Sequence, residues 1–117
     1  MNNSFKQKFS FNKRLEEAQR IKLKYEDKIP IVIYKTKDST IKDIDRNKFL
    51  VPSDTTIAQF LFVVRKRITL APEESIYLFI NDSILANSSE TVGSIYNQYK
   101  DEDEFLYISY ATENVFG

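Results

Sequence analysis

Apolar side chains in this chain recur at two different spacings, and the spacings separate helices from strands. Near the start, four apolar residues stand at helical spacing and predict one helix; they are Phe11, Leu15, Ala18 and Tyr25. Ser10 or Asn12 can cap the beginning of that helix. Ile21 falls off the stripe, so we expect its side chain to stay partly exposed. The residues before this helix predict a short helix or an arm around Phe5 and Phe9.

Two segments rich in β-branched residues predict neighbouring strands. Ile29–Tyr34 is apolar almost throughout, as in a central strand that is buried on both faces. Pro30 must lie near its beginning, because proline donates no hydrogen bond to a strand partner. The next strand ends at Pro52, and its alternating side chains form two faces, which are Phe49 with Val51 and Lys48 with Leu50.

A longer helix is predicted in the middle of the chain. Thr56 and Gln59 have the spacing of a capping box, and an apolar stripe at helical spacing follows, namely Ile57, Phe60, Leu61, Val64 and Ile68. Phe62 and Val63 lie off this stripe. The helix therefore carries more apolar surface than one core face requires.

The remaining pattern predicts a strand at 76–80 with a turn at 81–82, a short helix at 92–99 capped by Thr91, a strand at 105–110 and a mobile tail at 111–117. This order predicts one domain in which a mixed sheet, with a parallel central pair, wraps around the long helix. We expect the core to contain Ile31, Ile33, Ile57, Phe60, Val64, Leu78, Leu106 and Ile108.

The amino-acid composition excludes most catalytic mechanisms. The chain has no cysteine and no histidine, so it offers no thiolate nucleophile, no thiolate metal ligand and no imidazole base. Its two glycines, Gly93 and Gly117, do not make a glycine-rich phosphate loop. The consecutive carboxylates Asp101–Glu104 are expected to form a solvated acidic loop, as charge runs usually do. We therefore expect no enzyme, no metal site and no cofactor.

Charge is divided unevenly along a chain whose formal net charge is zero. Positions 1–68 hold sixteen Lys and Arg against eight Asp and Glu, whereas positions 69–117 hold one against nine. The basic half could attract acidic peptides, anionic lipids or nucleic acid, or the charges could mix into an ordinary polar surface.

The N-terminus lacks the apolar core of a signal peptide, and no stretch has the ~20 apolar residues of a membrane span. We expect a cytosolic protein whose attachment to any membrane is added after synthesis.

Six short segments resemble the autophagy ubiquitin-like modifiers, and the GABA-receptor-associated proteins most of all. They are Phe11–Arg14 with Ile21 and Lys24–Tyr25, Asp27–Pro30, Lys48–Pro52, Ile76–Asn81, Tyr99–Asp103 and Phe105–Tyr107. The resemblance extends from about Phe11 to Gly117. It implies an α+β fold, the ubiquitin-like β-grasp, with a four-stranded mixed sheet around one central helix. Within a single domain, residues 1–25 would be an N-terminal helical extension, 28–110 the core and 111–117 the conjugation tail.

The resemblance implies that Gly117 is a conjugation residue. Family members end their mature form at a glycine after an aromatic residue, and this chain ends Phe116-Gly117. The carboxylate would become an adenylate, a thioester and then an amide of phosphatidylethanolamine, and a residue without Cβ passes the narrow clefts of the enzymes involved. The implied partners are activating and conjugating enzymes and a processing or deconjugating protease. We expect a monomer in the cytoplasm that lies on autophagosome membranes once lipidated.

The resemblance also implies docking of cargo receptors and autophagy proteins through short peptides, in which two spacers separate an aromatic and an aliphatic residue. The peptide would add to Lys48–Val51 as a strand. The aromatic pocket would consist of Glu17, Ile21, Pro30, Val32, Lys48, Leu50 and Phe105. The aliphatic pocket would consist of Phe49, Val51, Pro52, Thr55, Phe60 and Val63. Acidic residues of the peptide would be attracted by Lys24, Lys28, Arg46 and Lys48.

The chain departs from the family pattern in two places. Thr55 stands where close relatives usually have leucine, which weakens the expected aliphatic pocket, and Leu85-Ala86 replaces a proline pair in a loop that is one residue longer. Two alternatives stay open. One is a trafficking or cytoskeletal adaptor that binds the same motifs without being conjugated. The other, a nucleic-acid binder, is disfavoured because aromatic and basic residues do not interleave on a predicted sheet face, so we expect no nucleic-acid partner.

Overall fold

The structure of the chain, a computed structural model, describes residues 4–36, 41–68, 70 and 72–112. Its elements are α1 (Ser4–Lys8), α2 (Phe11–Lys24), β1 (Lys28–Lys35), β2 (Lys48–Pro52), α3 (Ile57–Arg67), β3 (Tyr77–Ile80), β4 (Ile84–Leu85), α4 (Val92–Tyr99) and β5 (Leu106–Ala111). The predicted order of elements is confirmed, with one additional short strand, β4, between β3 and α4. Strand β5 takes in Ala111, the first residue of the predicted tail, and positions 113–117 of that tail lie outside the described residues.

The strands form one mixed sheet in the order β2-β1-β5-β3-β4. The predicted parallel central pair is confirmed, because β1 runs parallel to β5 and antiparallel to β2. Ile31 thus lies opposite Leu106 on one side and Phe49 on the other. The α+β arrangement is as predicted, but the sheet has a fifth strand, β4. With only two residues, β4 is too short to show the alternation from which a strand is predicted.

One face of the sheet packs against α3 and forms the larger core. All eight residues predicted for this core are at most 3% exposed. The capping box is confirmed by reciprocal hydrogen bonds, since Gln59 N donates to Thr56 Oγ1 (3.2 Å) and Thr56 N donates to Gln59 Oε1 (2.9 Å). Phe62 and Val63, which lie off the stripe, are exposed. Local spacing alone therefore predicts how α3 is oriented on the sheet.

The other face is covered by the N-terminal helices, with side chains of both helices and of the sheet in one cluster: Phe5, Ala18, Ile21, Val32, Tyr34, Phe105 and Tyr107. The stripe predicted for α2 is wrong in part: Ala18 is buried as predicted, but Ile21 is buried as well, while Phe11 and Tyr25 are exposed. The face that α2 buries also carries Arg14 and Glu17, whose charges are paired. These charges interrupt its apolar pattern, so counting apolar positions favours the wrong face. Ser10 caps the helix by accepting from Lys13 N (3.3 Å).

A close backbone approach holds α4 against the turn that follows β2. Gly93 N donates to the Ser53 carbonyl (2.9 Å), and Val92 N donates to the Thr55 carbonyl (2.8 Å). A Cβ at position 93 would lie 2.8 Å from the Ser53 oxygen, so a larger residue would push the two segments apart. Helix α4 thereby supports the turn that contains Thr55.

Strand β2 forms an outer edge of the sheet, and its hydrogen bonds show which backbone groups point outward. In an antiparallel pair, opposed residues alternate between those that exchange hydrogen bonds and those that do not. Ile33 N donates to the Asn47 carbonyl (2.7 Å) at one end of the β1–β2 pair, and Ser53 N donates to the Asp27 carbonyl (2.8 Å) at the other. Counting from either bond, every second residue pair of the register exchanges hydrogen bonds, and the two counts agree.

That bonded set contains Phe49 and Val51, so the backbone N–H and C=O groups of Lys48 and Leu50 point away from β1, toward the free edge. Pro30 lies opposite Leu50, in a pair that exchanges no hydrogen bonds. The missing N–H of Pro30 therefore costs this ladder nothing. An open backbone edge on β2 follows from the register.

We expect Leu106→Ala to lower the free energy of unfolding by about 2–5 kcal/mol, because it removes a fully buried side chain and leaves a cavity. Urea denaturation followed by circular dichroism measures this change. Leu23→Ala is the matched control, because Leu23 is 85% exposed and its truncation should cost no more than about 0.5 kcal/mol. Equal losses at the two positions would contradict the described core.

We also expect the amide protons of β2 to alternate in hydrogen exchange. Those of Phe49 and Val51 are bonded to β1 and should be protected, whereas those of Lys48 and Leu50 point to solvent and should exchange quickly. Amide exchange measured by nuclear magnetic resonance at neutral pH reads the four residues separately. Uniform protection along the strand would show that the register is wrong.

Candidate functional site

The residues predicted for the first pocket come together beside β2, on the face covered by α2. Val32 lies opposite Lys48 and Pro30 opposite Leu50 in the β1–β2 register. Leu50 packs against the apolar cluster that contains Ile21, Val32 and Phe105. The β1 residues of these pairs, Val32 and Pro30, are buried, whereas the β2 residues, Lys48 and Leu50, are half-buried. The group is therefore an apolar floor with a partly exposed rim along the edge strand.

The rim of this group is bridged by an ion pair. Lys48 Nζ lies 2.7 Å and 2.8 Å from the two carboxylate oxygens of Glu17, so the contact joins β2 to α2. The side chains are 40% and 25% exposed, and pairs of this kind stabilise a fold by only about 0–1 kcal/mol. The ion pair covers the apolar floor but can be opened at little cost.

A second cation occupies the backbone edge itself. Arg46 Nε donates to the Lys48 carbonyl (3.1 Å), which is one of the outward-pointing groups of β2. The Arg46 guanidinium also lies over the Phe49 ring, 5.5 Å from its centroid. Open strand edges are commonly protected by charged side chains. Arg46 protects this edge by filling an acceptor that another strand would use.

The residues predicted for the second pocket divide into a buried and an accessible set. Phe49, Val51 and Phe60 belong to the core, and the rings of Phe49 and Phe60 meet edge to face at 5.9 Å. The other three lie above them: Pro52 and Val63 are exposed, and Thr55 is half-buried. Because Thr56 caps α3, the Thr55 hydroxyl is not needed for that cap. The accessible part is therefore the surface formed by the last three residues.

The predicted electrostatic residues surround this edge. Lys24 and Arg46 are exposed and Lys28 is half-buried. Within the described part of the chain none of the three forms an ion pair, and the Lys24 ammonium lies over the Tyr25 ring at 5.4 Å. All three cations are therefore available to an external anion.

The acidic run before β5 is not the solvated loop that we predicted. Glu102 is exposed, but Asp103 is 0% exposed and pairs with Arg14 at 2.6 Å. It also accepts hydrogen bonds from Phe105 N (2.9 Å) and from the Tyr107 hydroxyl. Local pattern could not reveal this, because Arg14 is 89 positions away. The run of charges is a loop with one carboxylate turned into the protein.

The pKa values of the ionisable groups around this loop are shifted. Burial of Arg14 disfavours its charge, but bonding to Tyr107 and Asp103 outweighs that effect and raises the pKa of the guanidinium. Burial and the hydrogen bond to Asp103 raise the pKa of the Tyr107 phenol well above its ordinary value. Asp101 is also partly buried, and the bond from Lys6 (2.7 Å) outweighs that burial and lowers the pKa of Asp101. The two pairs fasten both N-terminal helices to this loop.

The other strongly shifted groups are tyrosines with structural partners. Burial raises the pKa of Tyr96 to about 12, and its hydroxyl donates to the Glu104 carbonyl (2.7 Å). Burial likewise raises the pKa of Tyr110 to about 12, and this hydroxyl holds the loop after β1 by accepting from Ile44 N (2.7 Å). These phenols therefore stay neutral at physiological pH.

Across residues 4–36, 41–68, 70 and 72–112, no cluster of three or more His, Cys, Asp or Glu side chains could hold a metal ion. No helix of the described chain is long and apolar enough to cross a membrane. Gly117, the predicted conjugation residue, lies outside the described residues. The free edge of β2 is therefore the candidate site. The residues predicted for the two pockets lie beside it, one group on each face of the sheet.

Comparisons with known proteins place the chain in a family. The family model described as autophagy protein Atg8, ubiquitin-like, matches residues 13–117. Autophagy-related protein 8 of Schizosaccharomyces pombe is 50% identical over 100% of this chain and 96% of its own length. The protein of the same name from Mycosarcoma maydis is 49% identical, over 100% and 98%. The crystal structure of Trypanosoma brucei ATG8 matches with a TM-score of 0.91 and 39% identity, covering all of both chains. The chain belongs to the Atg8 family of ubiquitin-like autophagy proteins.

Proposed function

We propose that this chain is a membrane-tethered adaptor of autophagy. In this function Gly117 is joined to phosphatidylethanolamine by activating and conjugating enzymes, and a protease processes or releases the conjugate. The chain moves from the cytoplasm to autophagosome membranes and recruits cargo receptors and autophagy proteins by their short aromatic-x-x-aliphatic motifs. The observation that carries this proposal is the open backbone edge of β2 between two side-chain groups on opposite faces of the sheet.

The spacing of the motif fits that arrangement. Successive side chains of an extended peptide point to opposite sides, so residues three positions apart lie on opposite faces. A peptide paired with the outward groups of Lys48 and Leu50 would place one anchor beside Ile21 and Leu50. Its other anchor would lie beside Thr55 and Val63. Backbone hydrogen bonds would supply a sequence-independent contribution, and the two groups would select the anchors.

The cations at the edge explain why acidic residues in the peptide would help. The Lys48 carbonyl that a peptide N–H needs is occupied by Arg46, so the incoming strand must displace that guanidinium. An acidic residue in the peptide gives the displaced Arg46 a new partner, and Lys24 and Lys28 add to the attraction. Exposed pairs of this kind contribute about 0.2–1 kcal/mol each, and they act more on the rate of encounter than on residence time.

We expect Gly117→Ala to block or greatly slow lipidation, because a β-carbon obstructs the clefts through which the terminal carboxylate must pass. The assay supplies activating and conjugating enzymes, ATP and liposomes containing phosphatidylethanolamine, and mass spectrometry detects the added lipid. Folding and peptide binding of the variant should equal those of the wild type. Failure of the wild-type chain to gain the mass of the lipid would contradict conjugation and favour an adaptor that acts without it.

We expect binding to depend more on the aromatic anchor than on the aliphatic one, because Thr55 gives the aliphatic group a weaker apolar wall. Replacing the aromatic residue of the peptide by alanine should cost far more affinity than replacing the aliphatic residue. Thr55→Leu should tighten binding a few-fold, since each additional buried methylene contributes about 0.8 kcal/mol.

Thr55→Val is the matched control for this experiment, because it removes the hydroxyl without adding length. Titration calorimetry should show less gain for Thr55→Val than for Thr55→Leu, and little change in stability for either. Equal losses at the two peptide positions, together with no gain from Thr55→Leu, would refute the unequal pockets.

A further inference from the structure

We propose that Arg14, Asp103 and Tyr107 are positioning residues for the aromatic half of the docking surface. The buried carboxylate of Asp103 holds α2 and the start of β5 at a defined separation, and the aromatic anchor of a peptide enters between these elements. This inference rests on the proposed function of peptide docking. It adds residues that lie outside both predicted pockets and do not touch the peptide.

Both oxygens of the Asp103 carboxylate accept hydrogen bonds. Its Oδ2 accepts from Arg14 Nη1 at 2.6 Å and from the Tyr107 hydroxyl, and its Oδ1 accepts from Phe105 N at 2.9 Å. The backbone N–H of Asp103 donates to Asp101 Oδ2 (3.1 Å). The side chains of Asp103 and Arg14 are 0% and 10% exposed. One carboxylate thus joins α2, β5 and the loop that precedes β5.

On the strand side, the contact leads directly to a wall of the pocket. The Asp103 carboxylate fixes the backbone of Phe105, whose ring is 0% exposed. That ring lies 5.2 Å from the Phe5 ring, in an edge-to-face arrangement, and 6.5 Å from the Tyr107 ring. A shift of the loop would therefore carry the Phe105 ring with it.

On the helix side, Arg14 lies on the face of α2 that forms the opposite wall. Residues three, four and seven positions apart share one face of a helix, and the positions that follow Arg14 at these intervals are Glu17, Ala18 and Ile21. Ala18 and Ile21 are buried in the same cluster as Phe105, and Glu17 forms the rim with Lys48. Holding Arg14 therefore sets the distance from the Ile21 wall to the Phe105 wall.

Energetics favour a role in geometry over a role in stability alone. Removing two charges from water is costly, and well-packed apolar residues often serve a core as well as a buried ion pair does. Separating the partners of a buried pair is costly, because each charge then stays buried without its partner. The apolar contacts between α2 and the sheet are not directional, whereas the bonds to Asp103 are.

The same loop offers a matched control. Asp101 pairs with Lys6 of α1 at 2.7 Å, and these side chains are 24% and 28% exposed. This pair fastens α1, whereas Asp103 fastens α2 and Phe105. Asp101→Asn and Asp103→Asn therefore remove the same charge from positions two residues apart. Asparagine at position 101 keeps an oxygen that can accept from Asp103 N, so only Asp103→Asn breaks the pair with Arg14 that holds the walls of the aromatic pocket.

The experiment measures three peptides against each variant by titration calorimetry. The parent peptide contains tryptophan-x-x-leucine, and the other two carry alanine in place of tryptophan or of leucine. Asp103→Asn should weaken the parent peptide and the leucine-to-alanine peptide by about ten-fold, equivalent to about 1.4 kcal/mol. The tryptophan-to-alanine peptide should change by less than about two-fold, the scatter of independent sites. Asp101→Asn should leave all three within that scatter.

Tyr107→Phe removes a single hydroxyl and provides the decisive measurement if Asp103→Asn does not fold. It should weaken only the tryptophan-containing peptides, by about three-fold, the effect of losing one hydrogen bond. An equal loss for all three peptides, or an equal loss from Asp101→Asn, would overturn the positioning role. A folded wild-type chain that does not bind the parent peptide would instead refute the proposed docking function itself.

Discussion

The structure depends on a central strand with no exposed face. β1 is flanked by β5 and β2, and its side chains alternate between two apolar clusters: Ile29, Ile31 and Ile33 in one, and Val32 and Tyr34 in the other. A strand buried in this way requires a cover on each side. Helix α3 supplies one cover and the N-terminal helices supply the other. The N-terminal segment is therefore part of the fold and not an appendage to it.

The two covers are attached by different physical means. The contact with α3 is apolar, and its position follows from hydrophobic spacing. The contact with the N-terminal helices includes three ion pairs, Lys6–Asp101, Arg14–Asp103 and Lys48–Glu17. Apolar packing tolerates small displacements, whereas ion pairs and hydrogen bonds favour particular distances. The free edge of β2 lies where these two kinds of contact meet, so one of its faces adjoins an apolar contact and the other adjoins ion pairs.

Burial that depends on local spacing could be predicted from the sequence. The cap at Thr56, the stripe of α3, the double burial of β1 and the two faces of β2 were all predicted from neighbours within a few positions. Burial that a distant residue decides could not be predicted in this way: Asp103 is buried because Arg14 neutralises it, and the buried face of α2 tolerates charges because their partners lie on β2 and in the loop before β5. For the candidate site, alternation predicted the faces of β2, but pocket membership came from resemblance alone. The occupation of the Lys48 carbonyl by Arg46 depends on a side-chain conformation that no periodicity encodes.

The parallel pairing of β1 with β5 also has a consequence for how the chain acquires its structure. Ile31 lies opposite Leu106, so the middle of the sheet joins segments from opposite ends of the sequence. Contacts so far apart close a long loop, and such contacts slow folding. During synthesis the N-terminal helices, β1 and β2 leave the ribosome long before the strand that completes the sheet. Until β5 emerges, one side of β1 has no partner. The nascent chain therefore presents an open apolar strand, the kind of surface that chaperones shield, until β5 pairs with it.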